Sequence, residues 1–236
     1  MEKVLEWPIV AIFRWSQWIA NPPKLISQCL SEGYQNDTPR LIKDYWTLPI
    51  FISVAVEAIV LTTYNIDLLS TPALLLIYLL SVCLRSFIAI AILFALLKMF
   101  HIRSDFGVVA ICYTIAVVYA PVFSAFEIPS FSYSISILSK LKLENVSPYD
   151  LVTYLIQHNS EFQKSNPQYG PLRIFSDLAA IVFLISNMLV AECLAQALSN
   201  DRFKTYAAVW LASVAGFVPS IVLNLFRLYS LWHYIK

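Results

Sequence analysis

Three ionisable side chains, Glu57, Arg85 and Glu192, each stand inside a long apolar run of the sequence. A charge near the centre of a bilayer costs at least ~2.5–3.5 kcal/mol unless it is paired or hydrated, so such residues mark a polar path or a structural clamp. Glu57 lies twelve residues after Tyr45, and Arg85 lies twelve before Leu97. In an antiparallel hairpin both then stand about 18 Å from the same end, at about 1.5 Å per residue. An ion pair between them is expected, serving as a clamp between two helices or as part of a proton-linked pocket; the clamp is the favoured reading. Glu192 falls six residues before Leu198, near a span end, where a structural or interfacial role is expected. Asn187 and Asn224 add hydrogen-bonding capacity of the kind that joins membrane helices. Pro121 and Pro219 remove backbone donors, but neither carries the flanking glycines of an unwound segment, and both read as ordinary membrane-helix prolines.

Enzyme signatures do not accompany these residues. The sequence has no GxSxG, HExxH, Walker or GxGxxG string, and His101, His158 and His233 lie far apart. His101, Arg103 and Asp105 form a short His-x-Arg-x-Asp pattern that could grip a lipid phosphate, although membrane-surface charge explains it more simply. Cys29, Cys83, Cys112 and Cys193 show no CxxC spacing, so neither a disulfide framework nor a metal site is expected. A non-enzymatic protein without a cofactor is expected.

The elements that carry these residues follow from composition. Of 236 residues, 59% are hydrophobic and 13% charged, with a mean hydropathy of +0.68 and a net charge of +1. Soluble domains carry roughly 25% charged residues, so a polytopic membrane protein is expected. The near-zero charge supplies no field that would attract nucleic acid. A helix needs about 20 apolar residues to cross the hydrocarbon, and five runs qualify, at 45–66, 73–97, 106–126, 177–198 and 206–229. The expected fold is an all-α membrane bundle of five spans over 45–236, preceded by a segment over 1–44.

Lys3, Arg14, Lys24, Arg40 and Lys43 precede the first span, while the turn at 67–72 has no Lys or Arg. Lys98 and Arg103, then Arg202 and Lys204, mark the next loops on the first side, favouring a cytoplasmic N-terminus and a C-terminus outside. No cleavable signal is expected at the start, because Pro8 and Arg14 interrupt its apolar stretch. Trp7, Trp15 and Trp18, with Leu5, Ile9, Ile12, Phe13 and Ile19, instead predict a helix lying at headgroup level and ended by Asn21-Pro22-Pro23. A second short helix is expected from Lys24 to about Leu30. In the outer loop over 127–175, Ser147 followed by Pro148 predicts the start of an amphipathic helix over 148–162.

In this order of features the chain resembles the Yip family of five-span membrane proteins, named for interaction with Ypt/Rab GTPases and including a large bacterial branch. The likeness rests on Asn21-Pro22 closing the N-terminal helix, on the hydrophobic hairpin, and on Phe106-Gly107-Val108-Val109-Ala110-Ile111-Cys112-Tyr113 leading to Tyr119-Ala120-Pro121, with two further spans after it. The Asp-Leu-Tyr-Gly-Pro string of eukaryotic members is absent, and the 127–175 connection exceeds the family's usual short loop. The resemblance is therefore to the bacterial branch. It implies an inner-membrane scaffold or membrane-shaping protein without catalytic residues, and a structural role for Tyr119 and Pro121.

A scaffold that binds lipid and a membrane-protein partner, or a second copy of itself, is thus the expected function. A small-solute or ion transporter using Glu57, Arg85 and Glu192 is the alternative.

Overall fold

The computed structural model of the protein describes residue 10 and residues 12–13, 15–63, 71–140, 147, 150, 153, 164, 170–198 and 201–235. Among them the chain is all-helical, with 92% in helix and no strand. A helical stretch at 15–20 runs into α1 (Pro22–Ser31), where Asn21 Oδ1 accepts the Lys24 N–H at 3.2 Å. Pro22 and Pro23 occupy first-turn positions whose N–H groups would have no helical partner. The Asn-Pro-Pro string that ends one helix therefore starts the next.

Gly33 turns the chain at φ 78° into the 3₁₀ turn Tyr34–Asn36, and Asp37 caps a single α-turn, Thr38–Leu41, by accepting the Arg40 N–H at 3.0 Å. A π-helical stretch, Ile42–Trp46, then opens into α2 (Thr47–Thr63). The remaining helices are α3 (Thr71–Met99), α4 (Phe106–Lys140), α5 (Gly170–Leu198) and α6 (Arg202–Ile235).

Leu75–Met99, Phe106–Phe126 and Asp177–Leu198 are long and apolar enough to cross a membrane. They coincide with the second, third and fourth expected spans and mark the chain as a membrane protein. The first and fifth expected spans fall on α2 and α6.

The helices outrun the spans read from sequence. α4 continues through Pro129 to Lys140, into what reads as loop, and α5 begins at Gly170 rather than 177. Hydropathy marks where the apolar stretch ends, whereas a helix ends where its backbone is broken; the serine-rich stretch after Pro129 contains no glycine to do so. Of the helix expected over 148–162, Asp150 and Thr153 are helical, and Ser147 Oγ accepts the Asp150 N–H at 3.2 Å as an N-cap. Its remaining positions lie outside the described residues.

α4 is the most enclosed span, 61% buried against 22% for the α3 span and 44% for the α5 span. Every residue from Val109 to Ile115 is buried, so this helix is covered on all sides. α5 packs along α4, α3 along α6, and α2 against α4. α3 and α4 run antiparallel, with Phe94 against Phe106 (centroids 5.6 Å apart) at one end and the Tyr78 hydroxyl bonded to Ser124 Oγ toward the other. Gly216 on α6 lies so near α3 that a Cβ would meet Ala89 Cβ at 3.0 Å, the close approach that small residues permit between membrane helices.

Outward faces invert the soluble pattern. Leu76, Leu80, Leu84 and Phe87 form an exposed stripe on α3, and Leu211, Val214, Val218 and Val222 another on α6. Such stripes at helical spacing suit acyl chains.

Gly107 has its own constraint: a Cβ there would strike the Gln35 carbonyl oxygen, a backbone atom of the 3₁₀ turn. Gly107→Ala is expected to destabilise by about 1–3 kcal/mol, in the range of core overpacking, and to release the segment before α2 from α4. Thermal unfolding in detergent measures the first effect and limited proteolysis near Gln35 the second; an unchanged melting temperature would show that the turn is not held there.

Candidate functional site

A cavity of about 80 Å³ lies among α3, α4 and α5. Its α3 wall is Tyr78, Ser81 and Arg85, which recur every three or four residues and so form one polar stripe on an apolar helix. α4 contributes Tyr113, Tyr119, Phe123 and Ser124, and α5 contributes Phe183, Ser186 and Asn187. Arg85 stands ten residues from Leu75 and fourteen from Met99, well within the span.

The guanidinium of Arg85 reaches across from α3, lying 5.3 Å from the Phe123 ring centroid and 5.7 Å from that of Phe183. A weakly hydrated planar cation tolerates ring faces better than an ammonium does, which lets Arg85 bridge α4 and α5. Several hydroxyls around it are committed to their own helices: Ser86 Oγ donates to the Val82 carbonyl at 2.9 Å, Ser124 Oγ to Ala120 at 2.9 Å and Ser186 Oγ to Phe183 at 3.0 Å. Ser81 and Tyr113, both buried, line the same cavity. The chamber thus sets the Arg85 guanidinium among the side chains of Ser81, Tyr113 and Asn187 in an otherwise apolar bundle.

Asn187 links α5 to α6. Its Nδ2 donates to the Phe183 carbonyl at 2.8 Å, and its Oδ1 accepts from Ser213 Oγ. Glu57 is buried on α2. Glu192 is not part of the chamber wall just described: it accepts from Gln196 Nε2 at 2.9 Å, Arg202 Nη2 at 3.1 Å and Tyr206 Oη at 3.0 Å, in a cluster at the α5–α6 turn. Arg202 is 71% exposed there, so solvent screens the ion pair strongly. Asp105, from the His-x-Arg-x-Asp pattern, accepts the Gly107 N–H at 2.9 Å and so serves the start of α4.

The N-terminal stretch packs onto the middle of α4. Trp15 Nε1 donates to the Val118 carbonyl at 2.9 Å, and Tyr119 Oη donates to the Ile19 carbonyl at 3.1 Å, one residue past the first anchor. Trp18 is buried, with its ring centroid 5.0 Å from that of Tyr45, which meets Tyr34 edge-on at 5.3 Å. The wider π-helical turn permits both Tyr45 and Trp46 to face inward, and Trp46 Nε1 donates to Thr114 Oγ1 at 2.9 Å. Burial pushes the nearby Cys29 thiol up to about 12, leaving it inert. Pro121 is buried in α4. Trp7 and the side chain of Asn224 lie outside the described residues.

Comparison of the chain with protein-family models, with curated proteins and with solved structures finds no match.

Tyr78 and Ser81 carry no mark in the sequence beyond their three- and four-residue spacing before Arg85, and Tyr113, on another helix, carries none. Arg85→Gln is expected to lower stability by about 1–3 kcal/mol, the sum of two partly desolvated ring contacts. Arg85→Lys should recover less than half, because a compact ammonium cannot cover both rings. Scanning fluorimetry of the purified variants checks this; a lysine variant as stable as wild type would assign the contribution to charge alone.

Proposed function

We propose that this chain is a five-span integral membrane protein that works without chemistry, as a scaffold that organises the lipid around it and holds a membrane partner or a second copy of itself. In this reading 45–66 and 206–229 also cross the bilayer, the N-terminus is cytoplasmic, the C-terminus is outside, and the membrane is a bacterial inner membrane. Kinship is with the bacterial branch of the Yip family, and no nucleic acid or cofactor takes part.

The observation that carries the reading is the docking of 15–20 on α4. Val118 lies twelve residues into the span that starts at Phe106, about 18 Å along its axis at 1.5 Å per residue. An arm anchored there reaches farther than headgroup level, and Val10, Ile12 and Phe13 are exposed on it. It enters the bilayer from one side without crossing it, and so adds more volume to that side than to the other. The clamp expected between Glu57 and Arg85 belongs to the same proposal. Glu57 stands about 16 Å along α2 from the Trp46–Thr114 bond, near the height of Phe123, whose ring the Arg85 guanidinium touches.

The chamber favours a second reading, transport of a small solute through the bundle. Reconstitution separates the two. Vesicles carrying the full chain are expected to become smaller and more curved as protein density rises. Ile12→Lys with Phe13→Lys, which charges the exposed side of the arm and spares Trp15 and Ile19, should abolish this while insertion persists. Vesicles of unchanged size that take up solute in an Arg85-dependent way would replace the scaffold with a transporter.

A further inference from the structure

We propose that the cleft at the α3–α4 turn is a binding site for one anionic phospholipid, whose phosphodiester is held by Lys98, Arg103 and Ser104. The site gives the lipid of the scaffold reading a headgroup class, yet it rests only on α3 and α4 crossing the bilayer. A chain that leaves vesicles unbent can still hold a lipid here.

The cleft is open and lined by Phe94 and Lys98 from α3, by Arg103, Ser104 and Asp105 from the connection, and by Phe106 from α4. Two members of the His-x-Arg-x-Asp pattern, Arg103 and Asp105, are thus in its wall. The way α3 ends fixes its shape. The Ile102 N–H donates to the Leu97 carbonyl at 2.9 Å and the His101 N–H to the Lys98 carbonyl at 3.0 Å, with His101 at φ 59° and both Leu97 and Ile102 buried. This is the closure in which a left-handed residue stops a helix and an apolar pair seals the turn. It returns the chain so that Arg103 and Ser104 line the same cleft as Lys98.

Three features of the cleft call for an anion. Among the described residues neither Lys98 nor Arg103 forms an ion pair. The Lys98 ammonium lies 5.2 Å from the Phe94 ring centroid, so its stem folds back over a ring one turn deeper in the span instead of snorkelling outward. Ser104 Oγ is buried with no hydrogen-bond partner among the described residues, although buried hydroxyls nearly always have one. Asp105 does not cancel the cations: its Oδ1 accepts the Gly107 N–H at 2.9 Å, and two cations with one carboxylate leave the lining at +1. One phosphodiester, with its single negative charge, balances that. A headgroup bearing its own ammonium would restore the imbalance, so phosphatidylglycerol fits better than phosphatidylcholine.

Depth selects a lipid over a free anion. Lys98 precedes the last residue of the Leu75–Met99 span, and Phe106 opens the Phe106–Phe126 span. The cations therefore stand at the level of lipid phosphates, with the Phe94 and Phe106 rings packed edge-on beside them. Met99 and Phe106 are exposed there and offer apolar surface to the chains of the same lipid.

The test is native mass spectrometry of the full chain, delipidated in neutral detergent and titrated with phosphatidylglycerol or with phosphatidylcholine of the same acyl chains. The wild type should retain one phosphatidylglycerol saturably, at a half-saturating concentration about five- to tenfold below that for phosphatidylcholine. Lys98→Gln with Arg103→Gln should erase the preference, and Ser104→Ala should weaken phosphatidylglycerol binding about three- to tenfold. Lys204→Gln, which removes a charge from the α5–α6 turn, should change neither. Ser104→Ala alters no charge and decides the matter even if the double variant fails to fold. Equal retention of the two lipids, a loss in Lys204→Gln as large as in the double variant, or indifference to Ser104→Ala overturns the proposal.

Discussion

Enclosure of α4 is the constraint on which the other helices depend. Seven consecutive residues, Val109 to Ile115, are buried, which requires neighbours on every side rather than along one stripe. α5, α2 and α3 cover it, and α1 and the stretch at 15–20 close what remains. Its two ends are specified differently. Near Phe106 the close fit is backbone on backbone, with Gly107 beneath Gln35. Toward the middle it is directional, with Trp46 on Thr114, Trp15 on Val118 and Tyr119 on Ile19. Hydrogen bonds of this kind are net modest in hydrocarbon, about 0.6 kcal/mol on average, so they fix register more than they supply stability.

The same enclosure produces the chamber. Tyr78, Ser81 and Arg85 project from one stripe of α3 toward α4 and α5, where two phenylalanines receive the guanidinium. Leucines on another stripe of the same helix face outward. One helix thus carries a polar stripe toward the cavity, an apolar stripe (Ala89, Ile90, Leu93, Leu97) into the core and an apolar exterior, and ring faces offset part of the cost of burying a cation.

Much of this was legible in the residues. The runs at 73–97, 106–126 and 177–198 reappear as membrane-length helices because hydrocarbon thickness dictates a length that composition displays directly. Ser147 marked a helix start through local cap chemistry, whereas Asn21-Pro22-Pro23, read as a helix end, also caps and begins the next helix at Pro22 rather than Lys24. Arg85 was conspicuous, being a charge in an apolar run. Ser81 and Tyr113 were not, because small hydroxyls are common in membrane helices and only the mutual rotation of α3 and α4 brings them to one cavity. The π-helical turn before α2 was likewise hidden, since a shift of hydrogen-bond register leaves no compositional trace. A Trp-rich apolar helix satisfies itself equally at a headgroup or against another helix, so its docking on α4 depended on partners a hundred residues away.

The central proposal is a helix bundle whose long helices cross the bilayer an odd number of times. Single cysteines placed near each terminus of a chain lacking its own four, and labelled in intact and in permeabilised cells with a membrane-impermeant thiol reagent, test it most directly. The account predicts opposite sides: the C-terminal cysteine reacts in intact cells, and the N-terminal one only after permeabilisation. Both cysteines reacting from the same side would contradict it, since that requires an even number of crossings.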